Sequence, residues 1–279
     1  MIIIKDIPKI QELRKLQSKQ IWGFVPTMGA LHQGHISLIK QAIKENDVCI
    51  VSIFVNPAQF NDLSDLAKYP RKTEQDIGIL EKEGVDVLFM PEAEDIYPRD
   101  FNTIVKNLNL SDQLEGMTRK GHFDGVCTVL TKFFNIIYPQ TVYFGQKDVQ
   151  QLLVVKKLVY DLNYNITVKG CPIFRDSNGL ALSSRNEGLT LAQIRSAAVL
   201  FQSLLLAKKI VSKGEKKSAI IIAKMEQLIN QVPSIKIDYI AITDVVKLEP
   251  VQDIAGGVLI SLAVYFGSIR LIDNIEIIP

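Results

Sequence analysis

The chain has 279 residues, 47 % of them hydrophobic and 22 % charged, enough for a packed core and for one large or two modest domains. Its 32 basic residues against 30 acidic ones leave a formal net charge of +2, which argues against an extended nucleic-acid surface. No apolar run approaches bilayer-spanning length, and the opening Met1-Ile2-Ile3-Ile4-Lys5-Asp6 reads as a short strand and not as a signal peptide, so a soluble protein with neither nucleic-acid nor membrane partners is expected.

A short apolar strand over 21–25 is followed by the turn Pro26-Thr27-Met28-Gly29-Ala30-Leu31-His32-Gln33-Gly34-His35. A helix over about 34–46 comes next, with Ile36, Ile39 and Ile43 at helical spacing. Two of the chain's three histidines sit in this turn, three positions apart. A strand, a glycine-bearing turn and a helix start form the arrangement that aims backbone N–H groups at an anion. Two imidazoles add side-chain donors, so a polyphosphate is the expected guest. The alternative is an ordinary βα turn with two polar surface histidines.

Residues 48–55 form a β-branched apolar run, as in a strand buried on both faces. Thr73 to Asp76 has a capping-box pattern, and Ile77, Leu80 and the stop at Gly84 complete a helix. A strand over 85–90 closes at Pro91. A buried helix over 126–137, a strand over 142–144, a helix over 149–162 and a strand over 166–168 follow. This alternation predicts an α/β fold, a Rossmann-like doubly wound parallel sheet that binds ligands beyond the carboxyl ends of its strands.

The pattern changes near Asn178-Gly179, a turn signal. A long amphipathic helix over 190–213 has Thr190 and Gln193 at its start and Gly214 as its stop; a second helix over 218–232 ends before Pro233. Strands over 236–242, 258–266 and 269–272 complete the chain. These elements predict a second, smaller α+β C-terminal domain, giving domains 1–182 and 183–279. The basic stretch 208–217 reads as a solvated helix end and turn. Cys49, Cys127 and Cys171 are odd in number and outside C-x-x-C pairs, so neither a disulfide framework nor a zinc site is expected. Cys49 reads as a small core residue, and a reducing, cytoplasmic setting fits.

Two further polar motifs follow strand ends. In Phe54-Val55-Asn56-Pro57-Ala58-Gln59-Phe60, Pro57 ends the pairing and Gln59 offers an amide suited to hydroxyls and a carboxylate; alone it reads equally as a polar loop residue. In Tyr143-Phe144-Gly145-Gln146-Lys147-Asp148-Val149-Gln150-Gln151, Gly145 admits a ligand close to the backbone and Lys147 suits phosphate. Asp148 could hold Mg²⁺ directly or through water, or else cap a helix, and Gln151 lies one helical turn on. At the domain junction, Ser183, Ser184 and Arg185 offer two hydroxyls and a guanidinium fork for phosphate; the alternative is a serine-rich linker. His122, in Gly121-His122-Phe123-Asp124-Gly125-Val126, is as well explained by capping or structure and is not assigned to catalysis.

The histidine spacing is that of the HxGH motif of the nucleotidyltransferase superfamily. Together, PTMGALHQGH, FVNPAQF, the Tyr69-Pro70-Arg71 triplet, HFDGV, FGQKDVQQ, GLALSSRN, DYIAITD and RLIDN resemble the pantothenate synthetase (pantoate–β-alanine ligase) family along essentially the whole chain. The departure is Phe60-Asn61-Asp62-Leu63-Ser64-Asp65, where the family usually has a glycine after the phenylalanine. The resemblance implies that pantoate attacks ATP to give pantoyl adenylate and pyrophosphate, and that β-alanine then gives pantothenate and AMP. It implies an ATP-binding loop of Met28, Gly29, Ala30, Leu31, His32, Gln33, Gly34 and His35, with His35 as proton donor. His32, Lys147 and Arg185 join it as catalytic groups. Gly145, Gln146, Lys147, Asp148, Leu182, Ser183, Ser184 and Arg185 would complete the nucleotide site, with Phe174 beside the adenosine. Gln59 and Gln151 match pantoate-binding positions, and Gln59 also a β-alanine contact. Mg²⁺ bound with ATP near Asp148, and a homodimer formed through the N-terminal domain, belong to the same implication. Rival readings are a nucleotidyltransferase that stops at the nucleotidyl product and a nucleotide-binding regulatory module.

Overall fold

The chain divides into two units, Met1–Gln146 with Gln150–Pro172, and Lys147–Val149 with Ile173–Pro279. The computed structural model describes every residue except Asp62 and Pro279; the side chains at 63–65 also lie outside the description. The family departure at 60–65 therefore falls partly outside the described residues.

Up to Cys171 the elements are β1 (Ile2–Ile4), α1 (Ile7–Leu16), β2 (Trp22–Thr27), α2 (Gln33–Glu45), β3 (Val48–Ile53), α3 (Leu63–Lys68), α4 (Thr73–Glu83), β4 (Val87–Phe89), α5 (Ala93–Ile96), α6 (Glu115–Thr118), α7 (His122–Ile137), β5 (Thr141–Gly145), α8 (Val149–Asp161) and β6 (Thr167–Cys171). Six strands form one parallel sheet in the order β1-β4-β3-β2-β5-β6. Successive side chains on a strand point to opposite faces, so Phe24 and Val25 of β2 serve different layers. On one face Phe133 of α7 meets Phe24, Phe54 and Phe89 edge-on, with ring centroids 5.9, 5.7 and 5.8 Å apart. On the other, Val25, Val51 and Leu88 pack with Leu38 and Ile39 of α2 and Leu80 of α4. This is the doubly wound, Rossmann-like arrangement.

The strand order positions the site. β2 and β5 are neighbours, but the chain leaves β2 toward β3 and leaves β5 toward β6. Right-handed crossovers then run in opposite directions and open a crevice at the carboxyl ends of these two strands. Gly23 pairs with Thr141 and Phe24 with Val142. Continued along the strands, that register brings Thr27 and Gly145 out at the same edge.

In the second unit, α9 (Leu191–Ser212) and α10 (Ser218–Ile229) join an antiparallel sheet of β7 (Ile235–Asp244), β8 (Val258–Phe266) and β9 (Ile269–Ile277). Leu204, Ala207, Ile221, Met225 and Ile229 of the helices share a buried core with Ile260, Leu262 and Val264, the alternate residues of β8. Thr190 and Gln193 form the reciprocal cap of α9, each side chain bonded to the other's backbone N–H. Residues 173–182, counted from sequence with the first domain, pack within this unit, where Leu180 lies in the core.

Several local expectations change. Ile7–Leu16 carries no assignment from the sequence, yet Asp6 caps it through the Lys9 N–H at 3.0 Å and Pro8 sits in its first turn. Thr73 is the first residue of α4 and not its cap; the cap is Lys72, which makes no side-chain capping bond. β9 runs on to Ile277 because β8 pairs with it over its whole length. Among the described residues no helix is long and apolar enough to cross a membrane. All three cysteines are buried and unbridged, and burial pushes the Cys49 and Cys127 thiols up to about 12.

The α2 end of the first unit is tied to the sheet through Glu45, which accepts from Lys169 Nζ and Tyr143 OH, each at 2.7 Å. The Lys169 ammonium, then the Tyr143 hydroxyl, hold this carboxyl down at about 2. A depressed carboxylate contributes stability above its ordinary value and loses it as pH falls through the folded value. Glu45→Gln is therefore expected to melt below the native chain at neutral pH. The gap should close between pH 4.5 and about 2. An acid titration of melting temperature checks this, and a gap independent of pH contradicts it.

Candidate active site

At the carboxyl end of β2 the chain turns through Gly29 (φ 81°) and Ala30 (φ 50°), two consecutive residues in the left-handed region. Ala30 is an L-residue in a conformation that only glycine adopts without steric cost. The turn is held by Asp76 of α4, which is 1 % exposed. Its Oδ2 accepts from the Ala30 N–H and its Oδ1 from the Leu31 N–H, both at 2.8 Å. A Cβ on Gly29 would lie 3.0 Å from Asp76 Oδ2, so this position needs glycine for space as well as for its φ. The Gly29 N–H is taken by Thr27 Oγ1 at 3.2 Å. The expectation that these turn amides face an external anion is thus corrected: the anion they hold is the protein's own carboxylate. Asp76, read from sequence as part of a helix cap, holds the turn ahead of the histidines, a role that local spacing could not reveal.

The side-chain donors at this strand end are the imidazoles. His32 is the N-cap of α2, and its Nδ1 accepts from the Gly34 N–H at 3.1 Å. His35 Nδ1 accepts from the His32 N–H at 3.2 Å. A Cβ on Gly34 would come within 2.8 Å of His32 Cε1, which explains the glycine between the two histidines. The rings lie 4.1 Å apart, centroid to centroid. Because each Nδ1 is an acceptor, each neutral ring carries its proton on Nε2. The half-buried pair therefore presents two N–H donors at a helix N-terminus, where the helix dipole also favours an anion.

Beyond β3, Asn56 organises the next segment. Nearly fully buried, it donates from Nδ2 to Gln59 Oε1 and to the Gly125 carbonyl, each at 3.1 Å. Its Oδ1 accepts from Tyr97 OH at 2.8 Å and the Ala58 N–H at 3.3 Å. With Gln59 Oε1 so engaged, its amide nitrogen points to Met28 Sδ, 2.8 Å away, which brings Gln59 against the histidine loop. A Cβ on Gly125 would lie 2.3 Å from the Ala58 carbonyl oxygen, so α7 reaches this turn only with glycine there. His122 Nδ1–H donates to the Gln59 carbonyl at 2.8 Å, and Arg119 donates to its Nε2 at 3.3 Å. His122 is a buried support under Gln59 with the opposite tautomer from the motif pair.

After β5, Gly145 and Gln146 stay with the first unit. Of the two glutamines that follow, Gln150 is buried and committed to structure, accepting from the Glu115 N–H and donating to the Leu110 and Gln113 carbonyls. Gln151 is half-buried.

The other expected nucleotide contacts belong to the second unit: Lys147 and Asp148, then Phe174 and residues 182–185. Lys147 Nζ stands 4.0 Å from Asp148 Oδ1. Phe174 is exposed, and its carbonyl accepts from the Leu182 N–H at 3.0 Å. Asn178 and Gly179 form the expected turn, with the Gly179 N–H on the Asp176 carbonyl and φ 92° at the glycine. Ser183 caps the single turn Ser184–Gly188 by accepting from the Arg185 N–H at 3.2 Å, and its own hydroxyl hydrogen remains a donor. Ser184 is half-buried and Arg185 exposed. Among the described residues no group of three or more His, Cys, Asp or Glu could hold a metal ion by itself. Mg²⁺ carried by phosphates and water needs only one or two carboxylates, and Asp148, with its side chain 54 % exposed beside Lys147, fits that role.

Comparison with known proteins agrees along the chain. The family model for pantoate–β-alanine ligase matches residues 2–276. Pantothenate synthetase of Thermosipho melanesiensis is 48 % identical over 278 residues, 99 % of each chain. That of Pseudothermotoga lettingae is 46 % identical over 275 residues, 98 % of each. The crystal structure of pantothenate synthetase from Thermus thermophilus matches with a TM-score of 0.94 at 40 % identity, covering 100 % of both chains. Pantoate–β-alanine ligase from Francisella tularensis, complexed with beta-gamma ATP and β-alanine, matches with a TM-score of 0.80 at 40 % identity, covering 99 % of this chain and 97 % of that one.

The Asp76 clamp has a measurable consequence. In Asp76→Asn one buried loop N–H would face an amide –NH₂ and lose its acceptor, at a cost of about 1–3 kcal/mol. Denaturant unfolding of the variant should show that loss. Unchanged stability would mean that the carboxylate does not hold the turn.

Proposed function

Because the chain belongs to the pantoate–β-alanine ligase family, we propose that its paired imidazoles serve the ATP-dependent joining of pantoate and β-alanine to pantothenate. In the first step a pantoate carboxylate oxygen attacks the α-phosphorus of ATP. The bond from that phosphorus to the bridging oxygen breaks, pyrophosphate leaves and pantoyl adenylate remains. In the second step the β-alanine amine attacks the acyl carbon, the bond to the AMP oxygen breaks, the amine gives up a proton and AMP departs. The chemistry needs no covalent bond to the protein.

The first step presses a carboxylate against a polyanion and expels another anion, so preorganised donors supply most of the help. His32 and His35 donate from Nε2 to phosphate oxygens along the loop 28–35, and His35 supplies the proton for the departing pyrophosphate. Lys147 and Arg185 neutralise charge as it moves to the leaving group. Gly145, Gln146, Leu182, Ser183 and Ser184 contact the nucleotide, and Phe174 lies beside the adenosine. Asp148 would hold Mg²⁺ with the ATP phosphates, where the ion offsets their charge. Gln59 turns its –NH₂ to pantoate and contacts β-alanine, and Gln151 completes pantoate binding. The second step requires only that adenylate and amine be held together with water excluded. A cytoplasmic setting fits the three unbridged cysteines. A homodimer formed through the first unit is part of the same proposal; exposed Ile104, Leu108 and Met117 there are apolar surface that an interface would use.

The mutual capping of His32 and His35 beyond β2 is the observation that carries this proposal, because it fixes two N–H donors at the strand end where such sheets bind ligands. The test is pyrophosphate release from Mg-ATP that requires pantoate, followed by AMP release only on adding β-alanine. Accumulation of a stable nucleotidyl product would point to a transferase instead, and binding of ATP without turnover to a regulatory module. His35→Ala and Lys147→Ala should each slow adenylate formation by about 10²–10³-fold while leaving the fold intact. Native single-turnover rates in both variants would overturn their roles.

A further inference from the structure

The motif Arg270-Leu271-Ile272-Asp273-Asn274 has no part in the site assigned above. Its last two residues lie inside β9, opposite Leu262 and Ser261, and are 3 % and 6 % exposed. Asp273 receives both arms of Arg175: Nη1 to Oδ2 at 2.6 Å and Nη2 to Oδ1 at 2.9 Å. The guanidinium lies 3.8 Å over the ring of Phe201, and its Nη1 also donates to the Gly179 carbonyl at 3.0 Å. Asp273 Oδ1 accepts the N–H of Asn274 at 2.8 Å. Asn274 then donates from Nδ2 to the backbone carbonyl of Lys147 at 2.9 Å.

Adjacent residues of one strand thus hold both nucleotide-contact segments of the second unit. Asn274 holds Lys147, and Asp273, through Arg175, holds the turn that leads into residues 182–185. A buried ion pair is a poor source of net stability, since apolar residues of similar volume serve as well or better. A bidentate guanidinium–carboxylate fork does fix geometry. We propose that Asp273 and Asn274 are positioning residues for the ligation: they set the separation of Lys147 from the 182–185 segment before the nucleotide arrives. Preorganised placement of this kind matters because a misplacement of about 1 Å costs on the order of 100-fold in rate. The proposal rests on the assignment of Lys147 to ATP.

The test is a double-mutant cycle on pantoate-dependent pyrophosphate release. Asn274→Ala is expected to lower kcat/KM for ATP by about 10- to 100-fold, with the KM for β-alanine unchanged in the second half-reaction. In a Lys147→Ala background the same substitution should add little, because both changes act through one ammonium. Loss of a merely structural contact would instead add independently. Additive losses, or native kcat/KM in Asn274→Ala, overturn the proposal. Asn274→Leu, of similar volume but without the donor, should reproduce the effect of Asn274→Ala. If neither variant folds, the residue serves stability alone and the proposal also fails. A Lys147→Ala variant with native rates would instead remove the ATP assignment, and this proposal with it.

Discussion

Two backbone hydrogen bonds determine what the histidine motif does: His32 N–H to His35 Nδ1, and Gly34 N–H to His32 Nδ1. They cap α2, fix both rings and commit both Nδ1 atoms as acceptors. Each neutral ring thereby carries its proton on Nε2. The spacing of the motif follows from this geometry. The second histidine sits at the third helical position so that it reaches back to the cap, and a glycine precedes it so that the first ring folds over the helix start. The capping box usually pairs a hydroxyl with a carboxylate. Here imidazoles occupy both positions, so the device that starts the helix also fixes the two rings proposed to meet the phosphates.

Several of the proposed site segments rest on buried polar supports. Asp76 neutralises the strained turn ahead of the histidines, Asn56 and His122 fix the orientation of Gln59, and Gly125 lets α7 approach closely enough to do so. Within the second unit, Asp273 holds the Arg175 guanidinium and Asn274 holds the Lys147 backbone carbonyl. In the first unit the backbone takes up both motif Nδ1 atoms, and Asn56 takes up Gln59 Oε1. Groups held this way would need little reorganisation to meet the proposed charged ligand, the condition under which electrostatic stabilisation is most effective.

Much of this was readable in the sequence because it is local. The alternation of apolar runs fixed the α/β class, the HxGH turn stood at a strand end, Asn178-Gly179 marked its turn, and Thr190 with Gln193 marked a helix start that the structure reproduces. What was not readable depends on contacts between distant positions. Asp76 lies 46 residues from Ala30, and in sequence its spacing from Thr73 mimics a cap. His122 is separated by 63 residues from the carbonyl it supports. Gln150 and Gln151 are adjacent and chemically identical, and only the packing of the 110–115 segment tells which is structural. β9 outran its expected end because pairing with β8, and not its own composition, sets its length.

Everything rests on the protonation pattern of three rings, which nitrogen chemical shifts of ¹⁵N-labelled histidine report directly. At neutral or mildly alkaline pH the neutral rings of His32 and His35 should each show a protonated Nε2 and an accepting Nδ1, while His122 shows the reverse. Addition of ATP should move the Nε2 resonances of the motif pair and leave His122 in place. A proton on Nδ1 of either motif histidine, or an ATP response confined to His122, would contradict the account.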